Sequence, residues 1–314
     1  MRDASYILSA SRSVLTVAGE DRAAFLQGLI SNDTGKIACD RAIYSAFLTP
    51  QGKYLYDFSI VATADEASGV YLLDVEAARR SDLLKRLSMY RLRSKVTLTD
   101  GSMDWTVAVI YGADALAVLG LPAEAGAARA LESGVIFTDA RLPALGARAI
   151  LPAANAADIL QAAGLAQGDE DGYDRLRLSL GIPDSNRDLI PEKSILLESG
   201  FDELHGVDWQ KGCYMGQELT ARTKYRGLVR KRLLPVSIDG PAPSPGSVIM
   251  AGDKEAGEMR SQTRDGSLGL AMLRLEALDA LRLGQTVTLQ SGDATLTPIL
   301  PDWVKLPASE AVSS

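Results

Sequence analysis

The segment Asp208–Glu218 carries the densest group of residues that could do chemistry. Gly212 and Gly216 bracket Cys213, and glycines at this spacing would let the backbone turn sharply and approach a ligand. Lys211, two positions before the thiol, would lower the pKa of Cys213 and enrich the reactive thiolate. On this spacing alone, the commoner structure is a small buried cysteine in a tight turn.

Polar and basic residues follow the cysteine. Gln217 supplies an amide and Glu218 a carboxylate, a pair suited to a nitrogen heterocycle that both donates and accepts hydrogen bonds. A basic block comes next, made up of Arg222, Lys224, Arg226, Arg230, Lys231 and Arg232. This block suits either a ligand with several carboxylates or a solvated strand face. Its aromatic interleaving is limited to Tyr225, which disfavours nucleic-acid binding.

Histidine and cysteine are scarce in this chain of 314 residues, which holds one histidine and two cysteines. The scarcity excludes sites built from several imidazoles or four thiolates within one chain. Cys39 and Cys213 do not make a disulfide framework, which favours a reducing compartment. His205, after two acids, is predicted to lie in a surface loop, and Cys39 in the core or a turn.

The net charge of −7 argues against general nucleic-acid binding. No segment approaches the roughly 20 apolar residues that a membrane helix needs. The first residues of the chain are typical of neither a signal peptide nor a transit peptide. We therefore expect a cytoplasmic protein that binds neither nucleic acid nor membranes.

Strand-like and helical runs alternate along the first two thirds of the chain. A strand at Ser13–Val17 leads into a helix, and a later strand leads into an amphipathic helix over residues 76–89. From Trp105–Tyr111 onward the same strand–turn–helix order returns. This echo predicts two related and intertwined α+β halves, approximately residues 1–104 and 105–227.

The pattern changes after residue 227. Short strand-like runs separated by glycine or proline predict a small antiparallel β-barrel over residues 228–302. Residues 239–246 hold three prolines and two glycines and are predicted to form a loop. Residues 303–314 are predicted to be a terminal tail.

Lys211-Gly-Cys-Tyr-Met-Gly-Gln-Glu218 resembles the signature K-G-C-Y-x-G-Q-E of the YgfZ-type folate-binding proteins. These proteins are relatives of the glycine-cleavage T-protein and act in iron–sulfur protein maturation. Met215 occupies the variable position. Other segments resemble the family in the same order along the chain: Phe25–Asp33, Thr49–Lys53, Tyr90–Val96, Arg177–Pro183 and Ala221–Gly227.

The resemblance implies an α+β fold with a T-protein-like three-domain arrangement. Two ferredoxin-like parts and the C-terminal β-barrel would surround a central cavity that binds tetrahydrofolate. Lys211 and Cys213 would be the residues on which activity depends. The basic block would hold the polyanionic glutamate tail of folate. The residues implied to contact folate are Asn32, Asp57, Tyr214, Gln217, Glu218, Arg222 and Arg226.

The chain departs from the T-protein where that enzyme uses carboxylates. Ser179 stands where the T-protein commonly has a glutamate, and Tyr56-Asp57 stands where it has paired acids. Losing a carboxylate removes both an anchor for the pterin and a charged electrostatic stabiliser. Folate-dependent aminomethyl transfer or demethylation is therefore the alternative to the leading hypothesis.

The leading hypothesis is a folate-binding accessory protein that supports assembly or repair of iron–sulfur enzymes. Thiolate is a natural ligand for iron and sulfide, but a cluster normally needs about four such ligands. Cys213 would therefore handle sulfur or iron together with an assembly protein or a client enzyme. A folate sensor in which Cys213 is dispensable is a further alternative.

Overall fold

The computed structural model describes residues 3–63 and 69–306. The chain divides into two compact units. The first unit combines Met1–Glu170 with Leu204–Gln217, and the second combines Asp171–Glu203 with Glu218–Ser314. Each unit therefore takes in two separate stretches of the sequence.

The described part of the first unit contains strands and four short helices. The strands are β1 (Ser5–Leu8), β2 (Arg12–Ala18), β3 (Ile43–Leu48), β4 (Tyr54–Ala62), β5 (Tyr71–Glu76), β6 (Thr97–Asp100), β7 (Trp105–Tyr111), β8 (Ala128–Leu131), β9 (Gly134–Thr138), β10 (Ala147–Pro152) and β11 (Ala166–Gln167). The helices are α1 (Arg22–Gln27), α2 (Arg80–Tyr90), α3 (Ala115–Leu119) and α4 (Ala156–Ala162). The helix predicted over residues 76–89 thus begins at Arg80, after a 3-10 turn at Ala77–Arg79.

These strands form two sheets. The first sheet has the order β3-β4-β5-β2-β6, and its pairs are antiparallel. The second has the order β11-β1-β7-β10-β9-β8, with β1 and β11 parallel and the other pairs antiparallel. Because β1 lies in the second sheet, the start of the chain completes the sheet formed mainly by later residues.

Among the described residues, apolar clusters hold the first unit together. Helices α1 and α2 pack on the first sheet, where Leu26 and Leu83 share a cluster with Phe58. Helices α3 and α4 pack on the second sheet. A third cluster joins residues of both sheets, among them Leu72 and Ile150. All six residues of β3 are buried, because its sheet lies between helices and the second sheet.

The predicted echo has a structural counterpart at two glycines. Gly19 and Gly112 follow β2 and β7 and have φ angles of +106° and +113°. A Cβ at Gly19 would lie 2.1 Å from the carbonyl oxygen of Lys95, and one at Gly112 would lie 2.4 Å from that of Asp3. Both positions therefore require glycine for the turn from strand to helix.

The second unit is built around a barrel. Helices α5 (Glu170–Ser179) and α6 (Gln217–Tyr225) lie almost wholly in it, and α7 is Asp279–Arg282. The barrel closes in the order β12-β15-β14-β13-β16-β17, all antiparallel. Its strands are β12 (Lys231–Asp239), β13 (Val248–Ala251), β14 (Lys254–Gln262), β15 (Leu268–Arg274), β16 (Leu289–Ser291) and β17 (Ala294–Pro298).

The last strand and the start of the predicted tail are ordered parts of the barrel unit. Strand β17, which is not predicted from the sequence, pairs with β12 and β16 and closes the barrel. Trp303 donates a hydrogen bond from Nε1 to the carbonyl oxygen of Leu180 at 2.7 Å. Val304 belongs to the apolar cluster of the barrel. Residues 307–314 of the predicted tail lie outside the described residues.

An α+β architecture with a C-terminal antiparallel barrel is thus confirmed. The boundaries predicted after residues 104 and 227 stay predictions, as do the ferredoxin-like character of the halves and the central cavity.

Candidate functional site: the Lys211–Glu218 loop

The loop Lys211–Gly216 lies just before α6 and presents its cysteine to solvent. Cys213 is an exposed free thiol, whereas Lys211 and Tyr214 on either side of it are buried. The expectation from spacing alone, a buried cysteine, is therefore wrong. Cys39 is half-buried in a turn and forms no disulfide.

Lys211 is held by backbone carbonyls at the end of α1 and in the segment that follows it. Its Nζ donates to the carbonyl oxygens of Gln27 at 2.9 Å, Ile30 at 2.5 Å and Asn32 at 2.9 Å. The carbonyl of Gln27 lies at the end of α1 and lacks a helical partner, and those of Ile30 and Asn32 follow it in the chain, so one ammonium group satisfies all three. Burial lowers the pKa of Lys211 to about 8, although the nearby carboxylate of Asp33 opposes the shift.

These contacts change the role expected for Lys211. An ammonium group has three protons, and three carbonyls accept them. No ammonium proton remains for a hydrogen bond to the sulfur of Cys213. The predicted effect of Lys211 on this thiol therefore does not operate through a direct hydrogen bond. The contacts instead make Lys211 the anchor of the loop that carries Cys213.

Further contacts fix both ends of the loop. The amide N–H of Met215 donates to the carbonyl oxygen of Gly28 at 3.1 Å. Gly216 has a φ of +80°, and a Cβ there would lie 2.6 Å from the carbonyl oxygen of Thr49 and 2.9 Å from the Cα of Gly52. The structure thus brings together three segments that the sequence analysis singled out: Phe25–Asp33, Thr49–Lys53 and Lys211–Glu218.

Asn32 is buried and bonded to the backbone around the loop. Its Nδ2 donates to the carbonyl oxygens of Tyr44 and His205, each at 2.7 Å. Its Oδ1 accepts from the N–H of Asp33 at 2.7 Å. Since both N–H groups are used, a folate ligand could engage only the remaining acceptor capacity of this amide. His205 itself is exposed in a turn, as expected.

Asp57 lies on β4 in a buried cluster with two tyrosines. The hydroxyl of Tyr44 donates to Oδ2 at 2.7 Å, and that of Tyr54 donates to Oδ1 at 2.8 Å. Burial, with the negative charge of Asp57, raises the pKa of Tyr44 well above its usual value. A carboxylate has about four acceptor positions, so Asp57 retains capacity for a ligand.

The remaining predicted ligand residues lie at the start and end of α6. The Oε1 of Gln217 accepts from the N–H of Tyr214 at 3.3 Å. Glu218 is exposed in the first turn of α6, where a carboxylate is favoured by the helix dipole. Arg222 and Arg226 are exposed, in the last turn of α6 and just beyond it.

Two regions of the sequence match known domain families. Residues 9–130 match the GCVT N-terminal domain. Residues 230–306 match the C-terminal beta-barrel domain of CAF17.

Curated relatives match over most of this chain. The mouse mitochondrial iron–sulfur cluster assembly factor IBA57 is 34% identical over 313 residues, covering 93% of this chain and 83% of the mouse protein. The human protein is 33% identical over 309 residues, with the same coverage. The chain belongs to the IBA57/CAF17 family of iron–sulfur cluster assembly factors. A homologue from Mycosarcoma maydis is 34% identical over 235 residues, and the match spans only 55% of its length.

A solved structure supports the fold of this family member. The glycine cleavage system aminomethyltransferase T from Bartonella henselae superposes with a TM-score of 0.75, covering 96% of this chain and 87% of the enzyme. The sequence identity is 14%, so the similarity shows the T-protein-like fold alone. The mouse and human relatives are named as mitochondrial proteins, while the cytoplasmic location expected for this chain stays a prediction.

A buried ionic network between the two sheets of the first unit is not predicted from the sequence. Arg12 on β2 contacts Asp74 on β5, with 2.6 Å between Nε and Oδ1. Arg148 on β10 contacts both Asp74 at 2.5 Å and Asp139 at 2.9 Å, and Arg141 contacts Asp139 at 2.8 Å. Burial alone would raise the pKa of Asp139, but the two arginines hold it well below its usual range. The sequence signal for this network is a charged residue within an apolar strand, as at Arg12, Asp74 and Arg148.

The basic block does not form one continuous face. Arg232 is buried, where it donates to the carbonyl oxygen of Leu197 at 2.8 Å and to Oε1 of Glu203 at 2.6 Å. Lys224 is exposed and paired with Asp202. The exposed cations therefore centre on the end of α6 and the residues just after it.

The described residues offer no metal site within this chain. Across residues 3–63 and 69–306, no group of three or more histidine, cysteine, aspartate or glutamate side chains could hold a metal ion. Within the same ranges, no helix is both long and apolar enough to cross a membrane.

Proposed function

We propose that this iron–sulfur cluster assembly factor binds tetrahydrofolate and uses Cys213 as its functional thiol. The observation that carries the proposal is an exposed cysteine on a loop anchored by a buried lysine. A solvent-exposed thiol can reach a group held by another protein. A rigid anchor limits the conformational entropy lost when that contact forms.

The chemistry assigned to Cys213 is ligation of iron in a cluster shared with a partner. A cluster takes about four thiolate ligands, and this chain has two cysteines. The described residues also lack a group of acidic, histidine or cysteine side chains that could complete a site. Assembly-factor membership implies partners in the assembly machinery, and such a partner would supply the remaining ligands and the cluster.

The proposed folate site uses residues of this chain whose chemistry fits the ligand. Asp57 would accept hydrogen bonds from the pterin amino group and ring N–H, as carboxylates do for such donors. Tyr214, Gln217, Glu218 and Asn32 would complete the contacts proposed for the ring. Arg222 and Arg226 would pair with the carboxylates of the glutamate tail. The bound folate would serve either as a carrier of one-carbon units or as a ligand that stabilises the structure.

Complementation tests the thiol. A strain lacking this gene is supplied with the wild type, Cys213→Ser or the control Cys39→Ser, and iron–sulfur enzyme activities are measured. We expect Cys213→Ser to leave less than a tenth of the activity and Cys39→Ser to retain it. Full rescue by Cys213→Ser would refute the role of the thiol and favour a folate sensor.

Titration calorimetry with tetrahydrofolate tests the ligand. We expect binding by the wild type and by Cys213→Ser, and weaker binding by Asp57→Asn. Arg222→Ala with Arg226→Ala should weaken binding of polyglutamylated folate more than of the monoglutamate. The absence of binding by the wild type would refute the folate site.

A turnover assay separates this proposal from one-carbon transfer. Ser179, which stands where the T-protein has a glutamate, uses its hydroxyl to donate to the carbonyl oxygen of Leu176 at 2.8 Å. It therefore offers no carboxylate to the reaction. We expect no transfer from aminomethyl or N-methyl donors to tetrahydrofolate, and sustained turnover would favour the transferase instead.

A further inference from the structure

The C-terminal end of α2 carries an unusual cluster of exposed apolar side chains. The fractional exposure is 61% for Met89, 37% for Tyr90 and 88% for Leu92, within four consecutive residues. Tyr90 packs edge-on against Phe47, which fixes the base of the cluster. The other two side chains extend into solvent. We call Met89, Tyr90 and Leu92, with the arginines beside them, the α2 knuckle.

Leu92 is strained as well as exposed. Its φ of +43° is in the left-handed region, where a leucine costs about 1 kcal/mol or more relative to glycine or asparagine. Its side chain gains almost nothing from burial, since it is 88% exposed. Neither the backbone nor the core of this chain explains a leucine at this position.

The charge around the α2 knuckle is positive in a chain of net charge −7. Arg91 and Arg93 flank Leu92, and both are exposed. Among the acids nearby, Glu20 pairs with Lys95 and Asp82 pairs with Arg86. The carboxylate of Asp21 accepts the backbone N–H of Lys95 and offsets one of the two arginines. The arginines therefore leave an unbalanced positive charge beside the leucine.

The surface next to Leu92 is concave. An open cleft of about 730 Å³ is lined by Asp21, Leu92, Arg93 and Ser94. The N–H of Lys95 donates to a carboxylate oxygen of Asp21 at 2.7 Å, which holds this part of the loop. A projecting apolar side chain beside a fixed cleft is the shape of an interface anchor.

We propose that the α2 knuckle docks an iron–sulfur assembly protein through an apolar pocket rimmed by acidic side chains. Leu92 enters the pocket, and Arg91 and Arg93 face the acids. An acidic rim matches the positive charge of the knuckle and speeds association. The inference rests on the proposed function, because it takes the partner to be the protein that shares or delivers the cluster.

Binding measurements with purified proteins test this docking. The probes are the iron–sulfur scaffold and carrier proteins of the same organism, purified one at a time with and without their clusters. We expect the wild type to bind at least one of them and Leu92→Asn to bind it at least tenfold more weakly. Asparagine tolerates a positive φ, so this variant should melt no lower than the wild type.

Two further variants sharpen the result. Arg91→Glu combined with Arg93→Glu should slow association and reduce its dependence on salt concentration. Leu283→Asn is the matched control, since Leu283 is 76% exposed and lies in the second unit. It should bind as the wild type does.

Several outcomes would overturn the docking site. These are no binding to any of the probes, unchanged binding by Leu92→Asn, or equal weakening by Leu283→Asn. Binding only to anionic phospholipid vesicles or to duplex DNA would assign the knuckle to a different ligand. Cys213→Ser should still dock, and Leu92→Asn should still bind tetrahydrofolate. Failure of docking is thereby distinguished from failure of the proposed function.

Discussion

Lys211 shows how one side chain organises the candidate site. Its ammonium group joins the loop of Cys213 to the carbonyls of Gln27, Ile30 and Asn32, at and after the end of α1. The motif identifies this lysine, but its partners lie up to 184 positions away in the sequence. Local spacing therefore predicts a lysine beside a thiol, and only the tertiary structure reveals that its protons are used elsewhere.

Replacing Lys211 should change the pH dependence of stability. Burial lowers the pKa of Lys211 to about 8, whereas a lysine in an unfolded chain titrates near 10.4. Between these values the unfolded chain holds the proton that the folded chain has released, so stability rises with pH. The free energy of unfolding of the wild type, relative to Lys211→Met, should rise by up to about 1.4 kcal/mol per pH unit between pH 8 and 10.

Urea unfolding of both proteins at pH 7, 8, 9 and 10 measures this difference. Taking it against Lys211→Met cancels the titration of the other lysines, tyrosines and cysteines. A difference that stays flat or falls over this range would show that the ammonium pKa is not lowered.

The packing of the loop against the turn between β3 and β4 requires glycine at position 216. Gly216 should not tolerate alanine, because its φ is +80° and a Cβ would lie 2.6 Å from the carbonyl oxygen of Thr49. Gly216→Ala should cost about 1–3 kcal/mol of stability. Gly212 is the matched control, since a Cβ there meets nothing within 4 Å. Chemical denaturation measures the free energy of unfolding of Gly216→Ala and Gly212→Ala. Equal losses of stability in the two variants would contradict the close packing of the loop on the Thr49–Gly52 turn.

The ionic network makes a prediction for the two sheets of the first unit. Arg148→Met removes the cation shared by Asp74 and Asp139 and should destabilise the unit by about 3–5 kcal/mol at pH 7. The pKa of both acids is lowered in the folded chain despite burial. Their contribution is therefore present above about pH 4 and is lost as the pH falls below it.

Unfolding of the wild type and Arg148→Met at pH 7 and pH 3 checks both points. The difference in the free energy of unfolding between the wild type and Arg148→Met should be smaller at pH 3 than at pH 7. If Arg148→Met lowers the free energy of unfolding by less than about 1 kcal/mol at pH 7, the network contributes little to stability.

Most of the elements of the fold are predictable from the sequence, and the exceptions have physical causes. Strands such as β2, β7 and β12 have apolar patterns that predict them directly. The signal for β17 is weak, because Ala294–Pro298 is short and ends in proline. Pairing across the sheets, which buries Arg12 and Arg148 beside acids, is a tertiary property that no local pattern contains.

The whole molecule has units that are discontinuous in sequence. A fragment ending at Glu170 lacks Leu204–Gln217, which supplies the anchors of the first unit. Gly206 accepts a hydrogen bond from the hydroxyl of Ser31 at 2.6 Å, and Asp208 donates its N–H to the carbonyl oxygen of the same serine. These partners are buried and would be left unsatisfied.

We therefore expect the fragment 1–170 to lack a cooperative thermal transition. Joining residues 204–217 to its end through a flexible linker should restore the transition, and a scrambled version of those residues should not. Circular dichroism and calorimetry measure both outcomes. Cooperative melting of residues 1–170 alone would show that the later segment is not needed for this unit to fold.

The same discontinuity sets an order of events during synthesis. The described strands of the first unit, β1 to β11, are all synthesised before the segment that carries Lys211. Asp171–Glu203, which belongs to the second unit, emerges between them. The carbonyls of Gln27, Ile30 and Asn32 therefore lack their cation until Lys211 has been synthesised. The contacts that anchor the loop of Cys213 can form only after that point.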